Sequence, residues 1–308
     1  RVALSSYRAQ RRGGKGRAGM STRDEDFVSK VFVCNTHTPV LFFSSRGIVY
    51  RLKVYRLPEG NPQARGKALI NLLPLEPDET ITTIMPMPED EESWGDLFIM
   101  FATASGGIRR NRLSDFTNIM ANGKIAMKLD EGDELIGVQT CSEAQDIMLA
   151  ADSGKCIRFP VTEVRIFSGR TSTGVRGIRL AEGQKIVSMT MIDHVELETD
   201  VRDAYLRMSK ARRRLPDEED DSVQDVVETS DEDTGAETAS AHITLTEEEY
   251  EALSEKEQFM LTVTENGYGK RTSAFEYRTT RRGGQGVVNI ATEGRNGAVA
   301  ASFPVEDG

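Results

Sequence analysis

Cysteine is scarce in this chain of 308 residues: Cys34, Cys141 and Cys156 stand far apart, with no C-x-x-C pair. That usage excludes a disulfide framework and a cysteine-based zinc site, and it fits a reducing compartment. The three histidines, His37, His194 and His242, have no Cys, Asp or Glu at metal-ligand spacing. A long apolar run is also missing. The longest, Leu97-Phe98-Ile99-Met100-Phe101-Ala102, falls far short of the roughly 20 residues that span a bilayer, and no charged-then-apolar leader opens the chain. A soluble, cytoplasmic protein is expected. Catalytic constellations are lacking as well: Ser44 and Ser45 precede a turn with no base nearby, and Gly13-Gly14-Lys15-Gly16 lacks the spacing and the Lys-Ser/Thr of a P-loop. Tryptophan occurs once, as Trp94 after an acidic run, and reads as an anchor under a loop between repeats.

Negative charge is present but unevenly placed. The formal net charge is -10, yet residues 193–257 alone carry 22 acidic and 7 basic residues, leaving +5 on the rest. Within that segment, Asp217-Glu218-Glu219-Asp220-Asp221 and Asp231-Glu232-Asp233 lie among Ser, Thr and Gly, and residues 216–241 are expected to be disordered because they cannot bury enough apolar surface. Before this stretch, Leu197, Val201, Ala204, Tyr205 and Met208 recur at helical spacing and lead into Arg212-Arg213-Arg214. After it, Thr246-Glu247-Glu248-Glu249 has the spacing of a capping box opening a helix to about Gln258. Two helices joined by an acidic tether are expected.

The remainder is periodic. A strand-like apolar run ends four times in Gly-x-x-x-Arg: Gly47 with Arg51, Gly106 with Arg110, Gly154 with Arg158, Gly267 with Arg271. Each Gly suits a hairpin turn. Three and six residues past each Arg comes a largely apolar pair, from Val54 and Leu57 to Ala274 and Tyr277, and Arg1, Leu4 and Tyr7 keep the same offsets. The arginines are separated by 50, 59, 48 and 113 residues, and the last interval becomes 48 once the 65-residue acidic segment is set aside. The segment is therefore an insertion between repeats of about 50 residues. Each repeat adds a basic glycine turn (Ala64-Arg65-Gly66-Lys67, Ala121-Asn122-Gly123-Lys124, Gly174-Val175-Arg176-Gly177, Arg281 to Gly286) and a further apolar strand. About four short strands per repeat, without a helical period, predict an all-β, propeller-like β-pinwheel, with residues 1–192 and 258–308 forming blades and 193–257 inserted.

Near the start stands Gln10-Arg11-Arg12-Gly13-Gly14-Lys15-Gly16, with a relative at Arg281–Gly286. With Cys34-Asn35-Thr36-His37, Phe43-Ser44-Ser45-Arg46-Gly47, Asn71-Leu72-Leu73-Pro74-Leu75, Thr173 to Leu180 and Asn266 to Thr272, this closely resembles the C-terminal DNA-wrapping domain of DNA gyrase A, and the seven-residue run resembles the gyrase A box. The resemblance covers residues 1 to about 192 and 258–308; the acidic insertion lies outside it. It implies a non-catalytic, nucleoid-associated part of a bacterial ATP-dependent type II topoisomerase. The expected partners are double-stranded DNA, the rest of the gyrase A polypeptide, and the gyrase B polypeptide in an A2B2 heterotetramer. ATP and Mg2+ would be used elsewhere in that enzyme, with no cofactor in this domain, and none of Tyr7, Tyr50, Tyr55, Tyr205, Tyr250, Tyr268 or Tyr277 inherits the strand-cutting role. The domain of topoisomerase IV, whose box is degenerate or absent, is the nearest alternative; a propeller binding an acidic protein is the alternative of another class.

The basic residues repeating at the two turn positions are expected on one outer rim. Arg46, Arg51, Arg65, Lys67, Arg109, Arg110, Lys124, Arg158, Arg176, Arg179, Lys270, Arg271, Arg281 and Arg282 are the candidate DNA contacts, since cations in register neutralise phosphates and release counterions. The bland reading of any single hairpin arginine is a pair with a neighbouring blade's carboxylate. Few aromatics flank these turns and no recognition helix is evident, so selectivity would come from DNA deformability rather than base contacts. The box, with three glycines among Arg11, Arg12 and Lys15, suits a phosphate nest; by resemblance it fixes the wrapped path or latches the ring where first and last blades meet. The insertion is either a solvated spacer or a competitor with DNA for the basic rim.

Overall fold

The computed structural model describes residues 1–7, 19–22, 27–213 and 243–305. The expected disordered stretch 216–241 and the box, Gln10–Gly16, lie outside the described residues. Strand follows strand in four successive repeats. The first holds β1 (Pro39–Ser44), β2 (Ile48–Lys53) and β3 (Ile81–Pro86). The second holds β4 (Phe98–Thr103), β5 (Gly107–Arg112), β6 (Lys124–Ile125) and β7 (Leu135–Cys141). The third holds β8 (Gln145–Ala151), β9 (Lys155–Pro160), β10 (Val175–Arg176) and β11 (Ile186–Asp193). After helices α1 (Thr199–Arg213) and α2 (Glu247–Ser254) come β12 (Phe259–Thr264), β13 (Gly269–Ser273), β14 (Val287–Val288) and β15 (Val299–Val305).

The all-β, repeated-sheet architecture matches the sequence reading, with one addition. The sheet orders are β3-β1-β2-β6, β10-β5-β4-β7, β11-β8-β9-β14 and β13-β12-β15. Each four-stranded sheet thus takes three strands from its own repeat and a two-residue fourth strand from the next repeat: β6 joins the first sheet, β10 the second and β14 the third. The second, third and fourth repeats each export a short arm onto the preceding one. The chain clusters into two compact units, residues 1–141 with 165–175, and 142–164 with 176–308. Residues 165–175, an exported arm, therefore belong with the first unit although the chain on either side belongs with the second.

The central strands are apolar along their length, as in Pro39-Val40-Leu41-Phe42-Phe43, and β1 and β4 are buried throughout, as expected of strands covered on both faces. The outer strand β11 buries Ile186, Met189, Thr190 and Ile192, while Val187, Ser188, Met191 and Asp193 are more open. Between central strand and hairpin partner, Gly47, Gly106, Gly154 and Gly267 have φ of 74°, 88°, 81° and 81°, a left-handed conformation that glycine enters without a Cβ penalty. The turns close through bonds such as Gly47 N–H to Ser44 O, 3.0 Å, and Gly106 N–H to Thr103 O, 3.0 Å.

The apolar pairs three residues apart have a different basis from strand periodicity. Val54–Arg56, Leu113–Phe116, Val161–Glu163 and Ala274–Glu276 form single 3-10 turns, whose period of three residues aligns the two apolar members. Leu113, Phe116, Val161, Val164, Ala274 and Tyr277 are buried. Phe116 joins an aromatic cluster in the first unit, with Phe101 5.6 Å and Phe43 6.2 Å away between ring centroids. Trp94 is buried in that core and donates from Nε1 to Pro88 O at 3.0 Å, the anchoring role expected of it.

The insertion's two helices form, with α2 ending at Ser254, short of the expected Gln258. Thr246 Oγ1 accepts from Glu249 N–H, and Glu249 Oε2 accepts from Thr246 N–H at 2.8 Å, a complete capping box. The pair is held to the fourth repeat by Ala204, Tyr205, Leu245 and Phe275, with Tyr205 stacked 5.0 Å from Tyr250 and edge-on to Phe275 at 5.4 Å. Arg212 pairs with Glu247, and Arg213 with Glu257 at 2.9 Å. No helix among the described residues is long and apolar enough to cross a membrane.

Candidate nucleic-acid interface

The candidate cations fall into two populations, decided by which strand carries them. Arginines of the Gly-x-x-x-Arg turns sit on the second hairpin strand, and their guanidinium groups turn toward protein. Arg158 on β9 is 4% exposed, donates from Nε to Asp146 Oδ2 at 2.8 Å, and from Nη1 to Ala274 O at 2.7 Å in the following repeat. Asp146, fully buried, also meets His194 Nδ1 at 2.8 Å. Arg110 on β5 is 4% exposed and lies 4.7 Å from the Phe98 ring centroid. Arg51 on β2 donates to Thr117 O of the next repeat. Arg271 on β13 is exposed and packs 3.7 Å over the Phe259 ring.

Register explains the choice of partner. Arg51 faces Leu41, Arg110 faces Met100, Arg158 faces Met148 and Arg271 faces Leu261. Two residues before each of these facing positions stand Pro39, Phe98, Asp146 and Phe259. The same geometry thus yields a carbonyl bond to the next repeat, a cation–π contact, an ion pair and a second cation–π contact. This corrects the expectation for Arg109, Arg110 and Arg158: they are buried fastenings, because a guanidinium covered by protein has no free face for a phosphate.

Arg109 is the extreme case. Its side chain is 0% exposed, and Nη1 donates to Ser172 O at 2.7 Å on the exported arm. Burial, with Arg170 and Arg165 nearby, lowers its pKa to about 10, against a raising pull from Asp115. Asn111 completes the fastening, donating from Nδ2 to Phe167 O at 2.8 Å and Gly169 O at 3.2 Å. Gly174, at φ 89°, lies so close to β5 that a Cβ would stand 2.3 Å from Ile108 O.

The second population is carried by the arms and loops. Lys124 on β6, Arg176 on β10, Arg179 and Arg281 are exposed, as are Arg65 and Lys67 on the loop before β3. Arg46 is exposed at a hairpin tip, where Nη2 donates to Pro77 O at 2.8 Å. Arg282 is partly covered and ties its arm down, donating from Nε to Glu163 O and from Nη1 to Arg176 O, each at 3.1 Å. Lys270 is partly covered too, and burial lowers its pKa, partly offset by Glu276.

Arg165 and Arg170 on the third arm were missed by the turn-based reading. A signal existed: an arginine stands seven residues past the repeat arginine at Arg8, Arg165 and Arg278. The described residues contain no group of three or more His, Cys, Asp or Glu arranged to hold a metal. Burial raises the pKa of the Cys141 and Cys156 thiols to about 12, which removes them as nucleophiles near neutrality.

Comparison with known proteins agrees with the repeats. Residues 1–35, 38–86, 98–142, 145–193 and 258–306 match the family described as DNA gyrase C-terminal domain, beta-propeller. The matched segments pass over 194–257, the insertion. The DNA gyrase A protein of Granulibacter bethesdensis is 52% identical over 312 residues, covering 100% of this chain and 33% of that protein. Its Escherichia coli counterpart is 39% identical, covering 99% of this chain and 27% of that protein. The chain thus spans about a third or less of these relatives. Among solved structures, the C-terminal domain of DNA topoisomerase IV aligns with a TM-score of 0.67 at 18% identity, covering 99% of this chain and 74% of that one. The DNA gyrase A C-terminal domain aligns at 0.59 and 20% identity, covering 99% and 78%. At such identities these two likenesses speak for the fold, a β-pinwheel. With five matched segments spread over the repeats, the chain belongs to the DNA gyrase C-terminal domain family.

Proposed function

We propose that this domain binds and wraps duplex DNA without sequence preference, and that the wrap serves negative supercoiling by a gyrase built from A and B polypeptides. The observation carrying this reading is the recurrence of exposed cations on the exported arms, although not at one fixed position: Lys124 on the arm of the second repeat, Arg176 and Arg179 on that of the third, and Arg281 on that of the fourth. Exposed cations recurring on successive arms suit a polymer of regularly spaced phosphates, and release of counterions drives binding at a salt slope of about -0.9 per phosphate. Arg46, Arg65, Lys67, Arg271 and the partly covered Lys270 and Arg282 complete the proposed set. Arg51 serves first as a fastening.

Chemistry of strand cutting and ATP hydrolysis is assigned to parts of the enzyme outside this chain. The domain supplies binding and curvature only. A handed wrap would present a neighbouring duplex segment to the cleavage gate, so that passage changes linking number in one direction.

The test is topological. Closed circular DNA is relaxed by a type I topoisomerase in the presence of the domain, and the linking-number shift is read on a gel. A positive shift that grows with protein and fades with salt is expected. Absence of DNA binding would overturn the proposal and favour an acidic protein partner.

A further inference from the structure

The arm exported by the third repeat gathers cations with little negative charge to balance them. Beneath it lies Arg109, of which Nη1 alone is hydrogen-bonded; Nε and Nη2 are buried without a hydrogen-bond partner among the described residues. The buried ring of Phe167 lies close by, its centroid 5.2 Å from the Arg109 guanidinium carbon. Arg165, exposed, lies 3.8 Å from the same centroid. Arg170, partly exposed, donates from Nη1 to Asp115 O at 3.3 Å and sits 5.9 Å from the Phe116 centroid.

Three guanidinium groups therefore share one neighbourhood, and Asp115 is the carboxylate acting on the buried one. Like charges beside a desolvated cation cost free energy, which an anion at the surface offsets. The surface pair suits a phosphate in two ways. Arginine offers a planar fork that meets phosphate oxygens bidentately, and stacking on Phe167 restricts Arg165 before any ligand arrives. The arm itself is rigidly placed by Asn111 and by the close approach of Gly174 to β5.

We propose that Arg165 and Arg170 form a phosphate clamp on this arm that grips the backbone of duplex DNA, with Arg109 as the positioning residue behind it. This rests on the DNA-binding reading and adds to it two contact residues and a fixed point on the DNA path. Charge alone does not define the clamp: lysine at both positions would keep the charge and lose the fork.

The experiment is a salt-series titration of a fluorescent duplex oligonucleotide with wild type, R165A/R170A and R165K/R170K. For the alanine pair, affinity at low salt is expected to fall about tenfold or more, and the salt slope to become shallower by about 1.8, two phosphate contacts' worth. The lysine pair should regain the slope but only part of the affinity. The fold should survive with a melting temperature lowered by only a few degrees, since the alanine pair loses its contacts with the Phe167 and Phe116 rings and the bond to Asp115 O. Wild-type affinity and slope in the alanine pair would overturn the clamp while leaving DNA binding standing. A wild-type domain that binds no duplex would instead remove the reading on which the clamp rests.

Discussion

The third and fourth repeats place an arginine at the same hairpin position and use it in opposite ways. Arg158 is 4% exposed and ion-paired with Asp146, whereas Arg271 is exposed and lies over Phe259. Asp146 stands two positions before the register partner of Arg158, and Phe259 before that of Arg271, but this neighbour alone does not decide exposure, since Arg110 lies over Phe98 and is 4% exposed; β5 and β9 are flanked by β10 and β14, whereas no strand among the described residues pairs with the outer side of β13. A carboxylate at the position of Asp146 commits the arginine to the interior, because a buried charge must keep its counter-charge. An aromatic ring meets the face of the guanidinium and is compatible with either outcome, covered in the second repeat and exposed in the fourth. One repeat position thus serves as an internal fastening or as a surface cation according to whether a strand of the next repeat flanks its own.

Breaking the comparison on its buried side should give the largest effect. Arg158→Ala leaves Asp146 buried with only His194 beside it and strips the bonds to the next repeat; a loss of about 3–5 kcal/mol in urea unfolding is expected. Wild-type stability in that variant would contradict the fastening role. Asp146→Phe gives the third hairpin the pairing of the second, where buried Arg110 lies over Phe98, and a smaller cost, about 1–2 kcal/mol, should follow because Arg158 keeps its bonds to Ala274 O and Tyr277 O and gains a ring; a loss equal to that of Arg158→Ala would show that the ring cannot substitute.

Effects shrink toward the surface. Thr246→Ala removes the capping box of α2 and should cost about 1 kcal/mol by the same unfolding measurement, provided the helix pair unfolds with its repeat. Arg271→Ala should cost only about 0.5–1 kcal/mol, the worth of an exposed cation–π contact, and a larger loss would place it with Arg158. The smallest change in stability, close to zero, is expected for R176Q/R179Q/R281Q, whose side chains are exposed. Its signature lies in DNA titrations, where the salt slope should become shallower by about 2.7. An unchanged slope would show that these arms do not meet phosphates.

Much of this was legible in the chain. The Gly-x-x-x-Arg spacing located four hairpins, and all four glycines have positive φ. The apolar pairs after them were recognised, although their spacing of three reflects a 3-10 turn. The capping box of α2 followed from Thr246 and Glu249. What could not be read was burial of the arginines. Arg109 and Arg110 are adjacent to Gly106-Gly107-Ile108 in a stretch that looks like any basic turn, yet one meets Ser172 and the other Phe98. Ser172 is distant in the chain, and the position that Phe98 occupies holds Pro39, Asp146 or Phe259 in the other repeats, so no local pattern marks the outcome.

The sequence by itself determined what is local: repeat length, hairpin turns, helix starts and the place of the acidic insertion, because glycine conformation, strand polarity and capping act over a few residues. Only the tertiary structure decided that the fourth strand of a sheet comes from the following repeat, as β6, β10 and β14 do, and which cations are thereby covered. That outcome depends on contacts such as Arg109 with Ser172 and Arg158 with Ala274, between residues 63 and 116 positions apart. Such pairings form only when the sheets assemble, and their partner atoms are backbone carbonyls, which every residue possesses and no sequence pattern distinguishes.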